Sequence, residues 1–213
     1  MKLDIGCGLH KRPDYYGIDR IPLPGINLVS DLNEVLPFPD HSVTSIAVCR
    51  MLPYVNHLPF TLGELYRISR HGAVLTFLCP YAHHFRHSAN PFFNHFFDEY
   101  TPRYMTANFM QPANGLHCPP IAPYDYVPEL PYDYRLLQME LFYKPAFSPP
   151  LYELDELELL KELQANVVDE ILYRFVVVKD HLDIRVWEEL CQAEYDEPLA
   201  VQQLRNRKWD DIS

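Results

Sequence analysis

Short apolar segments alternate with helical patterns over the first 80 residues of the chain. Aliphatic runs that end in polar or glycine-containing turns predict strands at 2–5, 15–18, 27–29, 43–48 and 73–78. Between the last two runs, Leu58, Leu62 and Leu65 recur at helical spacing, and Gly72 is predicted to stop this helix. Such alternation is typical of a parallel sheet with crossover connections, so we predict an α/β fold.

Regular patterns return in the last third of the chain. Apolar runs predict strands at 136–142 and 170–180, and leucines at helical spacing predict a helix at 154–166. The charged segment beyond Asp180 is predicted to form helices at 187–195 and 199–209. We therefore expect a main domain of residues 1–180 and a C-terminal helical extension of residues 181–213.

The stretch of residues 81–150 loses this periodicity and is rich in proline and aromatic residues. Nine of the 20 prolines in the chain fall between Pro112 and Pro150. The stretch is too aromatic for a solvated linker, so we predict a loop-rich insertion that covers a site or acts as a substrate lid.

Charge and cysteine content narrow the class of protein. The formal net charge is -11 and no run of Lys and Arg occurs, which argues against a nucleic-acid binder and favours a small or neutral substrate. The five cysteines are scattered and never form a C-x-x-C pair, as expected of reduced thiols in the cytoplasm. No apolar run approaches the ~20 residues of a membrane helix, so we expect a soluble cytoplasmic protein without a membrane contact.

Acidic residues and glycines mark the ends of the first three predicted strands. Asp4 lies in the first strand, Gly6 and Gly8 lie in the turn after it, Asp19 ends the second strand and Asp31 follows the third. The carboxyl ends of parallel strands meet at one edge of an open sheet, where ligands bind. This anionic edge suits the cationic sulfonium and amino groups of S-adenosylmethionine (SAM).

A dinucleotide site fits the same segment poorly. It requires a third glycine and a helix whose N-terminus holds the pyrophosphate. Only Leu9 to Asp14 separate Gly8 from the second strand, and Pro13 lies among them, which leaves no room for an ordinary crossover helix. A nicotinamide-dependent oxidoreductase is therefore a less favoured alternative.

Residues 2–105 resemble the class I SAM-dependent methyltransferases, particularly a short bacterial type with a reduced first helix. LDIGCG resembles motif I, YYGIDR the end of the second strand, and ELYRISRHGAVLTFLCPY the helix and fifth strand of that family. DLNEVLPFPDHSVTSIAVCRMLPYV and HFFDEYTP resemble the segments around its fourth strand and after its fifth. The resemblance implies a Rossmann-like, seven-stranded mixed sheet with the last strand antiparallel and helices on both faces.

The resemblance also implies residue roles in binding SAM and transferring its methyl group to an oxygen or nitrogen of a small molecule. Gly6 and Gly8 would line the methionine side, Asp19 would hold the ribose, and the remaining positions would contact other parts of the cofactor. The full predicted cofactor set is Asp4, Gly6, Gly8, Asp19, Arg20, Asp31, Leu32, Cys49 and Arg50. His95 and Tyr81 are the predicted candidates for a general base.

Several alternatives stay open at this point. Asp4 could be a buried structural residue and Asp31 a turn residue. His83, His84, His87 and His95 invite a metal site, but no regular ligand pair occurs among them, and we predict no metal. The chain could also be a non-catalytic binding module or a homodimer whose partner subunit covers the cofactor.

Overall fold

The computed structural model describes residues 1–113, 115–126, 128–147 and 151–207. These residues form a seven-stranded sheet in the order β3-β2-β1-β4-β5-β7-β6. The strands are β1 (Lys2–Ile5), β2 (Tyr16–Asp19), β3 (Leu28–Val29), β4 (Val43–Cys49), β5 (Ser69–Pro80), β6 (Tyr134–Tyr143) and β7 (Val168–Val177). β7 runs antiparallel to both of its neighbours, and the other strands run parallel to each other. The predicted mixed sheet with an antiparallel last strand is confirmed.

Five α-helices accompany the sheet within the described part of the chain. They are α1 (Leu58–Ile68), α2 (Phe85–Ser88), α3 (Leu154–Leu163), α4 (Ile184–Gln192) and α5 (Leu199–Arg205). Side chains cap the first turns, since His57 Nδ1 accepts a hydrogen bond from Phe60 N at α1 and Asp183 accepts one from Arg185 N at α4. None of the described helices is long and apolar enough to cross a bilayer.

Alternate residues of β7 pack against helices on opposite faces of the sheet. Tyr173 and Phe175 join the larger core, which includes the buried face of α1. Leu172 packs with α5, and Val176 packs with Trp187 of α4. Helices therefore cover both faces, as predicted, and every residue of β7 except the partly exposed Asp169 is buried.

The connections β1–β2 and β2–β3 contain no helix. The chain from Gly6 returns directly to β2, as the short spacing predicts. The loop between α4 and α5 lies beside this return, where Asp196 contacts Lys2 at 3.6 Å and Arg12 at 4.0 Å. Residues after 180 thus pack on the face of the sheet to which Leu172 and Val176 belong, here called the back of the sheet. Their separation as a distinct extension stays a prediction.

The end of α1 differs from the prediction. The helix ends at Ile68, and Ser69 is extended (φ -74°, ψ 144°) and pairs with Val43, so β5 begins without a loop. Gly72, expected as the helix stop, lies within β5 at φ +75°, where the register with β4 shifts. A left-handed residue in a strand is typical of a bulge, which explains a glycine there.

The predicted insertion covers part of the core. Phe97, Met105, Cys118 and Tyr132 are buried against the sheet and α1. Residues 114, 127 and 148–150 of this stretch, and the last two positions of the helix predicted at 199–209, lie outside the described residues.

Candidate functional site

A narrow crevice, here called the β-edge crevice, lies at the carboxyl ends of β1, β2 and β3. The turn that follows β4 forms its other wall. Its lining consists of Ile5, Gly6, Asp19, Arg20, Ser30, Asp31, Leu32, Asn33, Met51, Tyr54 and Val55. Five residues of the predicted cofactor set are therefore brought together here, namely Gly6, Asp19, Arg20, Asp31 and Leu32.

The turn after β1 is held open by two left-handed glycines. Gly6 has φ +70° and its N–H donates to Ile18 O at 2.8 Å, while Gly8 has φ +55°. Non-glycine residues adopt this conformation at a cost, which accounts for glycine at both positions. A β-carbon at Gly8 would have no heavy atom within 4 Å, so the backbone there stays accessible to a ligand.

Asp19 joins the end of β2 to this turn. Its Oδ2 accepts a hydrogen bond from Gly8 N at 3.0 Å and its Oδ1 accepts one from Ile21 N at 3.1 Å. The residue is buried, so the two backbone donors fix the carboxylate at the crevice. Each carboxylate oxygen retains a further lone pair, with which it can accept a ligand hydroxyl.

Asp31 and Leu32 form the end of the crevice beside β3. Asp31 Oδ1 accepts hydrogen bonds from Asn33 N at 2.9 Å and from Asn33 Nδ2 at 2.8 Å. This arrangement is an Asx turn, so Asp31 has the turn role that the sequence allows and also lines the crevice, as its predicted ligand role requires. Asp31 Oδ2 accepts no hydrogen bond from the described residues, which leaves it available to a donor.

Asp4 does not line the crevice. Its Oδ2 accepts a hydrogen bond from Arg12 N at 2.9 Å and so secures the loop that returns to β2. Burial raises the pKa of Asp4 above its usual value, against the lowering effect of this hydrogen bond. The geometry agrees with the alternative of a buried structural carboxyl group.

Met51 fills the middle of the crevice. A β-carbon placed on Gly6 would lie 2.1 Å from Met51 Cγ, so this side chain already occupies the space next to the glycine. The free volume left in the crevice is about 20 Å³, which holds roughly one water molecule. Neither the sequence pattern nor the family resemblance indicates this packing.

Cys49 and Arg50 precede Met51 in the chain and are not among the residues that line the crevice. Arg50 has φ +61° and donates through Nε and Nη2 to the carboxylate of Glu170, with both distances 2.7 Å. Burial raises the pKa of the Cys49 thiol to about 12, so the thiol is protonated at neutral pH. These two residues do not reach the β-edge crevice.

A second cavity, here called the arginine pocket, opens at the ends of β4 and β5. It encloses about 350 Å³. Its lining consists of Arg50, Tyr54, Pro80, Arg86, His87, Asn90, Phe93, Asp169, Glu170 and Arg207. Tyr54 lines both cavities, so the arginine pocket adjoins the crevice. Sequence reasoning missed this pocket because Asp169, Glu170 and Arg207 are distant in the chain.

The two predicted general bases line neither cavity. His95 is half-buried, and burial lowers its pKa, opposed by a hydrogen bond with the Val55 backbone. Tyr81 is buried, and its hydroxyl donates to Glu99 Oε2 at 2.7 Å, while Lys161 Nζ donates to Glu99 Oε1 at 2.6 Å. Burial and the neighbouring Glu99 raise the pKa of Tyr81. In this arrangement Glu99 links Tyr81, directly after β5, to Lys161 of α3.

Two of the four clustered histidines, His84 and His87, lie beside Asp169, whereas His83 lies 3.8 Å from Asp98. His87 Nε2 lies 3.4 Å and His84 Nε2 lies 3.9 Å from Asp169 Oδ1. Hydrogen bonds and charge from His87 and Arg207 lower the pKa of Asp169 in spite of its burial. Across the described ranges, no group of three or more His, Cys, Asp or Glu side chains is placed to hold a metal ion.

No family profile and no curated protein matches the chain. The order and directions of the strands nevertheless identify the fold. This is the sheet topology of the class I methyltransferase fold. Matching solved structures include a chain from the complex between the Haloferax volcanii Trm112 methyltransferase activator and a proposed methyltransferase. It is 15% identical, with a TM-score of 0.49, over 85% of this chain and 83% of that chain.

Two further solved structures have similar scores. A SAM-dependent methyltransferase from Thermotoga maritima is 12% identical with a TM-score of 0.47, over 82% of this chain and 81% of that one. A SAM-dependent methyltransferase from Archaeoglobus fulgidus is 13% identical with a TM-score of 0.47, over 82% and 85% of the two chains. At such low identity the topology of this chain, rather than these likenesses, establishes its fold.

Proposed function

We propose that this protein binds SAM in the β-edge crevice and transfers its methyl group to an oxygen or nitrogen of a small molecule in the arginine pocket. The observation that carries the proposal is the convergence of Gly6, Asp19 and Asp31 on one crevice at the carboxyl edge of the sheet. Bound there, SAM supplies an electrophilic methyl group on a sulfonium.

The chemistry of the crevice fits the adenosine half of SAM. Asp19 presents a carboxylate that can accept from the ribose hydroxyls, and Asp31 Oδ2 can accept from the adenine amino group. Leu32 and Val55 supply apolar walls for the adenine ring. The carboxylates also favour a cationic ligand over the pyrophosphate of a dinucleotide.

The methionine half requires a movement of Met51. Ligand cavities usually enclose ~300 Å³ or more, far above the free volume of the crevice. Methionine has three rotatable side-chain bonds and no branch, so it can leave the space beside Gly6 by changing rotamer. Binding of SAM is therefore coupled to the position of one flexible side chain.

The arginine pocket supplies the space that an acceptor needs. Its volume lies within the range of small-molecule sites, and Tyr54 connects it to the crevice. Alignment of the acceptor and exclusion of water account for most of the catalysis in such an in-line transfer. The imidazole that lines this pocket is His87, so His87 rather than His95 or Tyr81 is our candidate to accept a proton from a hydroxyl acceptor.

A non-catalytic SAM-binding or regulatory module is the second candidate. The occluded space beside Gly6 favours it, because an enzyme requires an open cavity beside the sulfonium and Met51 fills that space here. The two candidate functions are distinguished by whether demethylated SAM is released. An enzyme releases demethylated SAM when it is mixed with a suitable acceptor, and a module does not.

Calorimetric titration with SAM, its demethylated product and NAD tests cofactor binding. We expect the first two to bind and NAD not to bind. Asp19→Ala should weaken SAM binding by about 2 kcal/mol through loss of charged hydrogen bonds, and Asp155→Ala in the first turn of α3 serves as the control. Failure of both SAM and its product to bind at millimolar concentration would remove the proposal. A screen of amines and alcohols for release of demethylated SAM then separates enzyme from module.

A further inference from the structure

A third cavity lies between the first half of α1 and residues 96–105. It encloses about 500 Å³, within the ~300–1,000 Å³ range of small-molecule sites. It shares no lining residue with the β-edge crevice or the arginine pocket. We call it the aromatic pocket. Whatever occupies it is recognised separately from SAM and its acceptor.

The aromatic pocket has a rigid apolar floor. Leu62 of α1, Phe97 and Met105 line it, and each is at most 2% exposed. The Leu62 backbone is held in place by the Tyr134 hydroxyl, which donates to Leu62 O at 2.7 Å. Side chains this tightly packed form a preformed surface, so little ordering of the floor is required when a ligand binds.

Aromatic rings with open faces form the outer part of the pocket. Phe96, Tyr100 and Tyr104 line it and are 53%, 43% and 40% exposed. The Tyr104 ring is positioned by its hydroxyl, which lies 3.3 Å from Asp125 Oδ2. Exposed rings around a concave apolar surface favour a flat apolar ligand.

Asp98 supplies the single formal charge among the lining residues. Its Oδ1 accepts a hydrogen bond from Tyr100 N at 2.9 Å, which fixes the carboxylate. Its Oδ2 accepts no hydrogen bond from the described residues, and the basic group within 4 Å is the exposed His83, with Nε2 at 3.8 Å. A half-buried carboxylate is thus held at an apolar pocket, and one of its oxygens accepts no hydrogen bond from the described residues and faces only an exposed imidazole at 3.8 Å.

We infer that the aromatic pocket binds a small molecule that combines an aromatic or other flat apolar body with an ammonium group. The cation pairs with Asp98 Oδ2 and with the faces of the neighbouring rings. A neutral ligand of the same shape leaves the carboxylate desolvated and unpaired, and an anionic ligand is repelled by it. The inference is independent of the proposed methyl transfer, since the two sites share no residue.

Three probes of similar shape and different charge test the inference, namely phenethylamine, 2-phenylethanol and 3-phenylpropionate. Met105 lines the aromatic pocket and Met51 lines the crevice, so the spectrum of ¹³C-methyl methionine reports on both sites. The two signals are assigned with Met51→Leu and Met105→Leu. We expect phenethylamine to shift the Met105 signal saturably, to leave Met51 unchanged, and to bind about fivefold more tightly than 2-phenylethanol. Of the three probes, 3-phenylpropionate should bind most weakly.

Asp98→Asn removes the charge and keeps an oxygen that can accept from Tyr100 N. In this variant phenethylamine and 2-phenylethanol should bind with equal affinity. Asp155→Asn should leave the order of the three affinities unchanged. Equal affinity of the three probes for the wild-type protein, no Met105 shift at millimolar amine, or a shift confined to Met51 would each overturn the inference. The wild-type series alone decides between these outcomes even if the Asp98 variant does not fold.

Discussion

Gly6 and Met51 meet at the point where β1 ends, and their contact limits the free space in the crevice. The left-handed conformation of Gly6 turns the chain toward the return to β2, and the missing β-carbon leaves space that the Met51 side chain fills. A glycine of this kind is expected where a ligand approaches the backbone. In this structure the Met51 side chain takes that position, so we expect a ligand that enters the crevice to displace it.

Met51→Ala is predicted to strengthen binding of both SAM and its demethylated product. In the wild-type protein the competent arrangement is populated only when Met51 has moved, and this lowers the apparent affinity. Removal of the side chain should raise the affinity about three- to tenfold in calorimetric titration. Met51→Leu retains the bulk and serves as the control. An affinity that falls in Met51→Ala would show that the thioether contacts the ligand instead of excluding it.

At the scale of the elements, apolar runs were sufficient to locate the sheet. β1 was predicted with its observed bounds, and β2 and β4 differ from prediction by one residue at their ends. These elements are buried on regular faces, so their hydrophobic periodicity follows their structure. The direct passage from α1 into β5 was not predictable, because it depends on the pairing of Ser69 with Val43 on a distant strand.

The same distinction applies to the candidate site. Gly6, Asp19 and Asp31 were predictable because each follows a parallel strand, and such strand ends meet at one edge of the sheet. The arginine pocket and the ion pair of Glu99 with Lys161 join residues far apart in the chain. Local patterns carry no information on such contacts.

The docking of α5 on the back of the sheet supports a prediction about Leu204. This side chain is buried against Leu172 and Phe142, whereas Leu199 at the start of the same helix is 37% exposed. Leu204→Ala should lower the free energy of unfolding by about 2–4 kcal/mol through loss of buried apolar contacts and the cavity that remains. Leu199→Ala should cost under about 1 kcal/mol. Urea denaturation followed by circular dichroism measures both, and equal losses would contradict the packing of α5 described here.

At the scale of the whole molecule, one cluster of charges fixes the C-terminal segment to the sheet. Glu197, between α4 and α5, accepts hydrogen bonds from Arg174 of β7 at 2.9 Å and from Arg205 of α5 at 2.7 Å. Arg205 also donates two hydrogen bonds to Glu140 of β6. The hydrogen bonds from Arg205 lower the pKa of Glu197 most, with a further contribution from Arg174. The ionised form of Glu197 therefore contributes to the attachment of this segment, beside the apolar packing of α4 and α5 on the sheet.

Glu197→Gln should for this reason destabilise the protein in a pH-dependent way. Because the folded-state pKa lies below the usual value of 4.5, the stabilisation is complete above that pH and is lost as the pH falls through the folded-state pKa. At pH 7 the variant should lose about 1–3 kcal/mol, since Arg174 is buried and would lack its charged partner. Urea denaturation at a series of pH values should show that the difference in free energy of unfolding between the wild-type protein and the variant shrinks below pH 4.5.

The control is Glu140→Gln, at a position where the side chain is 40% exposed, and it should cost under about 1 kcal/mol at pH 7. Because the other acidic groups titrate in both proteins, a difference that stays constant with pH would show that Glu197 acts through packing rather than through its charge.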